Sequence, residues 1–149
     1  PADVFVTPDD KHLLLGLTGG DGVEVYDVAG GKAPELVKKI ATGKGAHAFR
    51  AVGDVRHVFV SNRVANTISK IDYVDFKAVD TFPAPSGPDC MNISADGSLI
   101  MVGSLGRQAD ADRRRQAQGG APGQGRQVAA RRVDAGPCAA AIGQGTCAF

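Results

Sequence analysis

The residue pattern of positions 1 to 106 repeats about every 42 to 44 residues and then stops. An aspartate opens a strand-like apolar run at Asp10, Asp54 and Asp96, the pairs Tyr26-Asp27 and Ile71-Asp72 each close another, and Gly45-Ala46-His47 corresponds to Gly87-Pro88-Asp89. A fixed period of this length indicates one structural unit that is built several times and stacked against its neighbours. The architecture is therefore strongly constrained before any single residue is considered.

Each unit is predicted to contain four short strands, separated by turns rich in Gly, Asp and Asn. The first unit has them at residues 4–7, 12–17, 23–27 and 36–40, and the second at 46–52, 57–61, 67–72 and 78–82. A third unit begins with strands at 90–94 and 99–102. The strand at 36–40 has an alternative, because Pro34-Glu35 could start a short helix.

Four-stranded units with this period are typical of β-propeller blades. We predict an all-β fold, a partial β-propeller of about two and a half four-stranded blades over residues 1–106. The run Phe59-Val60-Ser61-Asn62, followed by Asn66-Thr67-Ile68 and Ile71-Asp72, resembles the YVTN-type β-propeller repeat family. The resemblance implies a bacterial extracytoplasmic protein, periplasmic or secreted, although no signal peptide is recognisable in this chain.

Residues 107–149 have a different composition from the repeats. Ala, Gly, Arg, Gln or Pro occupy 33 of these 43 positions, and the segment carries 7 Arg against 3 Asp. The repeats carry 10 Lys and Arg against 13 Asp and Glu. Such a low-complexity segment cannot bury enough apolar surface to offset its chain entropy, so a disordered tail is one prediction.

A shift of the reading frame is the other prediction for this tail. Permitted codons for residues 107–113, read one nucleotide later, encode Gly-Lys-Leu-Thr-Leu-Ile-Asp, which matches the pattern of residues 66–72. The same shift lets residues 126–131 encode Gly-Lys-Ser-Pro-His-Gly and so places a histidine one period after Asp89. The nucleotide sequence decides between the two predictions.

Several classes of function are disfavoured by composition. The repeats lack the clustered cations and stacking aromatics of a nucleic-acid interface. The longest apolar runs, such as Leu13-Leu14-Leu15, are far too short to span a membrane. Of three cysteines only Cys90 lies in the repeats, so neither a disulfide framework nor a cysteine metal site is predicted. We expect no membrane span, no nucleic-acid partner and no bound metal.

His47 is the best candidate for a binding residue, because it begins an inner strand, where propeller side chains face the central channel. Asp89 occupies the corresponding position one unit later. Arg50, Asn62 and Arg63 form a further polar set near loops of the second unit and complete the predicted ligand-binding residues. Against this stands the simpler interpretation that His47 bonds a neighbouring loop and that the polar set is a solvated blade edge.

No catalytic residue is predicted. His12 and His57 follow turns at the start of second strands, and Asp9, Asp10 and Asp96 open turns in which aspartate caps its own backbone. The leading hypothesis is a non-enzymatic module that binds a small ligand or a protein, or serves as a scaffold, without a cofactor. The alternative is an enzyme or redox propeller, resembling sugar-lactone hydrolases or haem-carrying nitrite reductases, with His47 as base or ligand. Because too few blades are present to close a ring, self-association through open blade edges is also expected.

Overall fold

A computed structural model of the chain describes residues 2–95 and 97–104 in full and residues 127–132 as backbone. These residues form three antiparallel sheets, which we call blades 1 to 3. Blade 1 contains β1 (Val4–Val6), β2 (His12–Leu17), β3 (Gly22–Asp27) and β4 (Glu35–Ala41). Blade 2 contains β5 (Ala46–Ala51), β6 (His57–Asn62), β7 (Thr67–Asp72) and β8 (Lys77–Pro83). Blade 3 contains β9 (Pro88–Ile93), β10 (Leu99–Ser104) and β11 (Gln127–Arg132).

The predicted all-β meander is confirmed, since consecutive strands pair in every blade. β2 and β7 have the predicted bounds, and His12 and His57 begin β2 and β6 as expected. The alternative of a helix after Pro34 is wrong. The residues from Glu35 pair with β3 along its whole length instead, which satisfies their backbone groups within the sheet.

One strand lies within the segment predicted as a low-complexity tail. β11 runs antiparallel to β10, with Ser104 opposite Gln127 and Leu99 opposite Arg132. The sequence predicted no strand there. Residues 105–126 and 133–149 lie outside the described part of the chain, and so does Asp96. The domain boundary at residue 106 and the frameshift therefore stay predictions.

Blades 1 and 2 pack face to face through apolar side chains that alternate along their strands. Leu14 and Val25 of blade 1 and Val58, Val60 and Ile71 of blade 2 are all 0% exposed. Phe5 closes the inner side of this core, with its ring centroid 5.5 Å from that of Tyr73. Full burial of one such aliphatic side chain stabilises the fold by about 1.5–3 kcal/mol.

Blade 2 uses its other face to pack against blade 3. Phe59, Ile68 and Phe82 meet Met91, Ile100 and Val102 in a second core. Because Phe59 lies between Val58 and Val60 in β6, neighbouring residues of one strand serve opposite cores. Blade 2 is thus the middle layer of the described structure.

The innermost strands are also joined by polar contacts between blades. Phe49 N–H donates to Asp3 Oδ2 at 2.9 Å and so ties β5 to the residue before β1. Arg50 Nε donates to Met91 O at 3.1 Å and ties β5 to β9. We call the end of the blades at which β5 and β9 begin the upper end, and the end at which β2 and β6 begin the lower end.

The lower-end turns show how the units align. β2, β6 and β10 begin at His12, His57 and Leu99, which makes Asp9 the counterpart of Asp54. Asp9 Oδ1 accepts from Lys11 N–H, which confirms the capping predicted for Asp9, and Asp54 Oδ1 accepts from Arg56 N–H in the same way. The proposed correspondence of Asp10 with Asp54 is wrong by one position.

Asp10 instead aligns with Val55 and Gly97, and all three have left-handed backbone angles. Their φ values are 57°, 49° and 70° respectively. Glycine adopts this conformation freely and aspartate tolerates it, whereas a β-branched residue is strained there. Val55 is therefore the one member of this turn series whose residue type conflicts with its backbone.

Candidate functional site

His47 and Asp89 occupy matching places at the upper end, as the repeat predicts. Each is the second residue of its inner strand, and each follows two residues after a glycine with positive φ, Gly45 at 77° and Gly87 at 65°. A Cβ on Gly45 would lie 2.9 Å from Val64 N, so a side chain does not fit there. The glycine turn thus brings the start of β5 close to the β6–β7 turn.

Arg63 joins these two residues into a cluster between blades 2 and 3. It follows directly after β6, and its Nη2 donates to Asp89 Oδ1. His47 Nδ1 lies 3.2 Å from the same carboxylate oxygen. The side chains of Asp89, His47 and Arg63 are 8%, 19% and 31% exposed. We call these three residues the upper cluster.

Two nitrogens of the upper cluster are buried without a hydrogen bond. Among the described residues, neither His47 Nδ1 nor Arg63 Nε has a hydrogen-bond partner. His47 Nδ1 is close to Asp89 Oδ1, but the contact lacks the alignment of a hydrogen bond. Buried polar groups are nearly always paired, so two such atoms in one cluster mark it as a place for further interaction.

Arg50 does not belong to the upper cluster. Its backbone lies near the other end of β5 from His47, and its side chain reaches β9 through the bond to Met91 O. This contact joins two blades. The structure therefore separates Arg50 from His47, although the sequence grouped them.

Asn62 is also separate from the upper cluster, because it is fully buried inside blade 2. Its Oδ1 accepts from Thr42 Oγ1 at 3.0 Å, and its Nδ2 donates to Thr67 Oγ1 and Ser69 Oγ at 3.0 and 2.9 Å. Ser69 Oγ in turn shares a hydrogen bond with Thr81 Oγ1. This network joins the three outer strands of blade 2 to the segment that precedes β5. The sequence did not reveal it because its members are scattered along the chain.

The lower end of blade 2 carries a set of ion pairs. Arg56 Nε bonds Asp72 Oδ2 at 2.7 Å, and Arg56 Nη2 bonds Asp75 Oδ2 at 3.0 Å. Burial raises the pKa of the Asp72 carboxyl, but the bonds from Asp75 N–H, Arg56 and Val74 N–H together hold that pKa below its ordinary value. These contacts hold the β7–β8 turn to the start of β6.

The lowered pKa of Asp72 gives a pH prediction. The ordinary, unfolded value is about 3.9 and the folded value is lower, so the stabilisation is complete above the unfolded pKa and is lost as the pH falls through the folded one. Asp72→Asn should lower the free energy of unfolding by about 1–3 kcal/mol at neutral pH and flatten the loss of stability in acid. Urea unfolding between about pH 7 and pH 3 measures this.

The exposed Asp80 of β8 supplies the control for this experiment. Asp80→Asn should leave the acid dependence as it is in the unaltered chain. Parallel curves for Asp72→Asn and the unaltered chain over the whole pH range would contradict the role given to Asp72.

The described residues contain neither a cluster of metal-ligating side chains nor a membrane-spanning helix. No group of three or more His, Cys, Asp and Glu side chains comes together there in a way that could hold a metal ion. Nor does any helix in that part of the chain have the length and apolar character needed to cross a membrane. Cys90 is exposed on β9 as a free thiol.

Comparison with known proteins identifies a family and solved structures that share this architecture. The family model of the YNCE-like beta-propeller matches residues 1–111, whereas no curated protein sequence matches the chain. Hydrazine synthase from Kuenenia stuttgartiensis is 25% identical with a TM-score of 0.58, over 68% of this chain and 29% of that chain. A functionally unknown protein from Desulfotomaculum acetoxidans is 15% identical with a TM-score of 0.60, over 68% of this chain and 34% of that chain.

The chain thus spans about a third of the length of these solved structures. The predicted partial propeller and its resemblance to YVTN-type repeat propellers are confirmed by the family match together with the antiparallel four-stranded blades. The chain belongs to the YNCE-like beta-propeller family.

Proposed function

We propose that this chain is part of a non-enzymatic binding propeller, in which the upper cluster holds a small polar ligand at the upper end of the inner strands. The observation that carries the proposal is the pair of buried, unbonded nitrogens on His47 and Arg63. His47 Nδ1 lies 3.2 Å from Asp89 Oδ1, and the Nη2 atom of Arg63 pairs with the same carboxylate and offsets its charge. A ligand that supplies oxygen acceptors would complete these hydrogen bonds, and carboxylates and phosphates have that chemistry.

The upper cluster favours binding over catalysis. Asp89 is engaged by Arg63, and neither Asn62 nor Arg50 converges on the cluster to assist a reaction. A catalytic site needs a base, an orienting partner and a place for the reacting atom within reach of both. The family match supports the propeller architecture. A periplasmic or secreted location, and a protein partner as the other kind of ligand, are part of the proposal and follow from the YVTN resemblance.

The test uses the thermal unfolding of the full chain with citrate, inorganic phosphate and gluconate as probes. At least one probe should raise the melting temperature, because a ligand at about 100 times its Kd stabilises the folded state by about 2.7 kcal/mol. His47→Ala should abolish that rise. His57→Ala removes a histidine from the lower end instead, so it should lower stability yet keep the rise. A His47→Ala chain that responds to every probe as the unaltered chain does would refute the proposal.

A redox or hydrolytic propeller is the second candidate, and an enzyme, hydrazine synthase, is among the solved structures that resemble part of this chain. In that case His47 would act as a ligand or a base. No three metal-ligating side chains meet in the described residues, and the neighbour of His47 that could share a metal with it is Asp89. Visible absorbance after addition of haemin, or turnover of a sugar lactone that is lost in His47→Ala, would support this candidate over simple binding.

A further inference from the structure

A cleft of about 390 Å³ opens at the lower end between blades 1 and 2, away from the upper cluster. One wall is the β1–β2 turn, and the other is formed by Val55 and the β7–β8 turn. Tyr73, only 6% exposed, and Phe76 supply an aromatic side. This volume is within the range of about 300–1,000 Å³ for small-molecule sites, which are mostly apolar with a few polar groups.

Lys11 lines this cleft and departs from the repeat. Its counterpart in blade 2 is Arg56, which pairs with Asp72 and Asp75. In the part of the chain that the structure describes, Lys11 makes no ion pair. Asp27, the counterpart of Asp72, pairs with Lys32 instead, with 2.9 Å between Asp27 Oδ2 and Lys32 Nζ. The ammonium group of Lys11 is therefore available to a ligand in the cleft.

His12 and Asp9 depart from the repeat in the same way. In blade 2 the ring of His57 contacts Asp54 Oδ2 at 2.6 Å. In blade 1 the His12 ring lies edge-on to Phe76 of blade 2 instead, with centroids 4.8 Å apart. Asp9 Oδ1 accepts hydrogen bonds from both the Thr7 hydroxyl and Lys11 N–H, whereas Asp9 Oδ2 has no hydrogen bond within the described residues. These bonds lower the pKa of Asp9, so it carries a negative charge at neutral pH.

Val55 forms the lip of the cleft and is the strained member of its turn series. Its side chain is 76% exposed at a φ of 49°, where the other blades have Asp10 and Gly97. Neither burial nor backbone preference explains an isopropyl group at this position. Strain of this kind concentrates at functional sites, and here it holds an apolar group over the cleft.

From these departures we infer that the cleft binds a small zwitterion with an apolar body, such as a free α-amino acid with an aromatic or branched side chain. Asp9 Oδ2 accepts from the ligand ammonium, and Lys11 donates to the ligand carboxylate. The apolar body lies between Val55 and Phe76. Lys11, Asp9 Oδ2 and the exposed Val55 all differ from their described counterparts in the other blades. Binding of such a ligand explains all three differences.

Isothermal titration of the full chain with L-phenylalanine tests this inference. Phenylacetate lacks the ammonium and phenethylamine lacks the carboxylate, so each should bind about fivefold or more weakly than L-phenylalanine. Lys11→Gln should weaken the binding of L-phenylalanine by a similar factor. The control Lys38→Gln, on the exposed outer strand β4, should bind as the unaltered chain does. Absence of saturable binding of L-phenylalanine, or equal affinity for all three probes, would overturn the inference.

The variant Val55→Gly tests ligand binding in the cleft separately from the stability of the fold. Glycine suits the left-handed backbone, so the melting temperature should stay level or rise, while the affinity for L-phenylalanine falls because the lip is lost. A lower melting temperature of Val55→Gly would overturn the assignment of backbone strain to Val55. Unchanged affinity in a stable Val55→Gly chain would overturn the role of the lip.

Discussion

Leu14→Ala is expected to lower the free energy of unfolding by about 2–5 kcal/mol, a large share of the 5–15 kcal/mol typical of a folded protein. Leu14 is 0% exposed and lies in the core shared by blades 1 and 2, opposite Val58 and Val60. Truncation removes its burial and leaves a cavity between two sheets whose backbones are held by their own hydrogen bonds. Urea denaturation followed by circular dichroism measures the change.

Leu13→Ala is the matched control, since it removes the same atoms one position earlier in β2. Leu13 points to the opposite face and is only partly buried, so its loss should cost markedly less. Equal losses in the two variants would contradict the packing of blade 1 against blade 2.

The second large effect concerns the face of blade 1 that points away from blade 2. Val58 and Val60 of blade 2 are fully buried by blade 1, but their counterparts Leu13 and Leu15 are only half-buried, and Val4 on the same face is 51% exposed. In the described structure no blade covers this face. We expect the chain to associate with copies of itself through it, because an apolar sheet face of this kind is otherwise left in water.

Light scattering after size exclusion measures this association. The unaltered chain should elute as oligomers or aggregates, and Leu15→Lys should shift it strongly toward the monomer by placing a charge in the contact. Val37→Lys, on the exposed outer strand β4, should leave the association unchanged. A monodisperse, cooperatively melting monomer of the unaltered chain would contradict the prediction.

The sequence predicted the blades well because each blade is local. Strand pairing in β2 or β7 depends on a period-2 pattern and on turns a few residues away, both of which are visible in the chain. The single-position error at Asp10 arose because Asp9 and Asp10 are adjacent and only the hydrogen bond to Lys11 N–H tells them apart.

The candidate site was predicted only in part. Repeat alignment placed His47 and Asp89 correctly at equivalent positions, but it contains no information on how blades are offset from each other. That offset decides that Arg63 reaches Asp89 and that Arg50 reaches Met91. The pairing of Asn62 with Thr42 depends on the approach of the end of β6 to the segment before β5, which a pattern within either segment does not specify.

The lower-end cleft was missed for a different reason. Lys11 and His12 look ordinary in the sequence, because Arg56 and His57 stand at the same positions of the next unit. Only the partners differ, and partners are visible only in three dimensions. A comparison of equivalent residues by their contacts is therefore more informative here than a comparison by their type.

The consecutive pairing of β1 to β4 has a consequence for synthesis on the ribosome. Blade 1 can complete its backbone hydrogen bonds once Ala41 has left the exit tunnel, but the side of it that carries Leu14 and Val25 stays bare until blade 2 follows. Translation of residues 46–83 takes about 2–8 s at about 5–20 residues per second. Until then the nascent chain exposes an apolar sheet face of the kind that chaperones bind, and slow translation while blade 2 is still inside the tunnel would prolong that exposure.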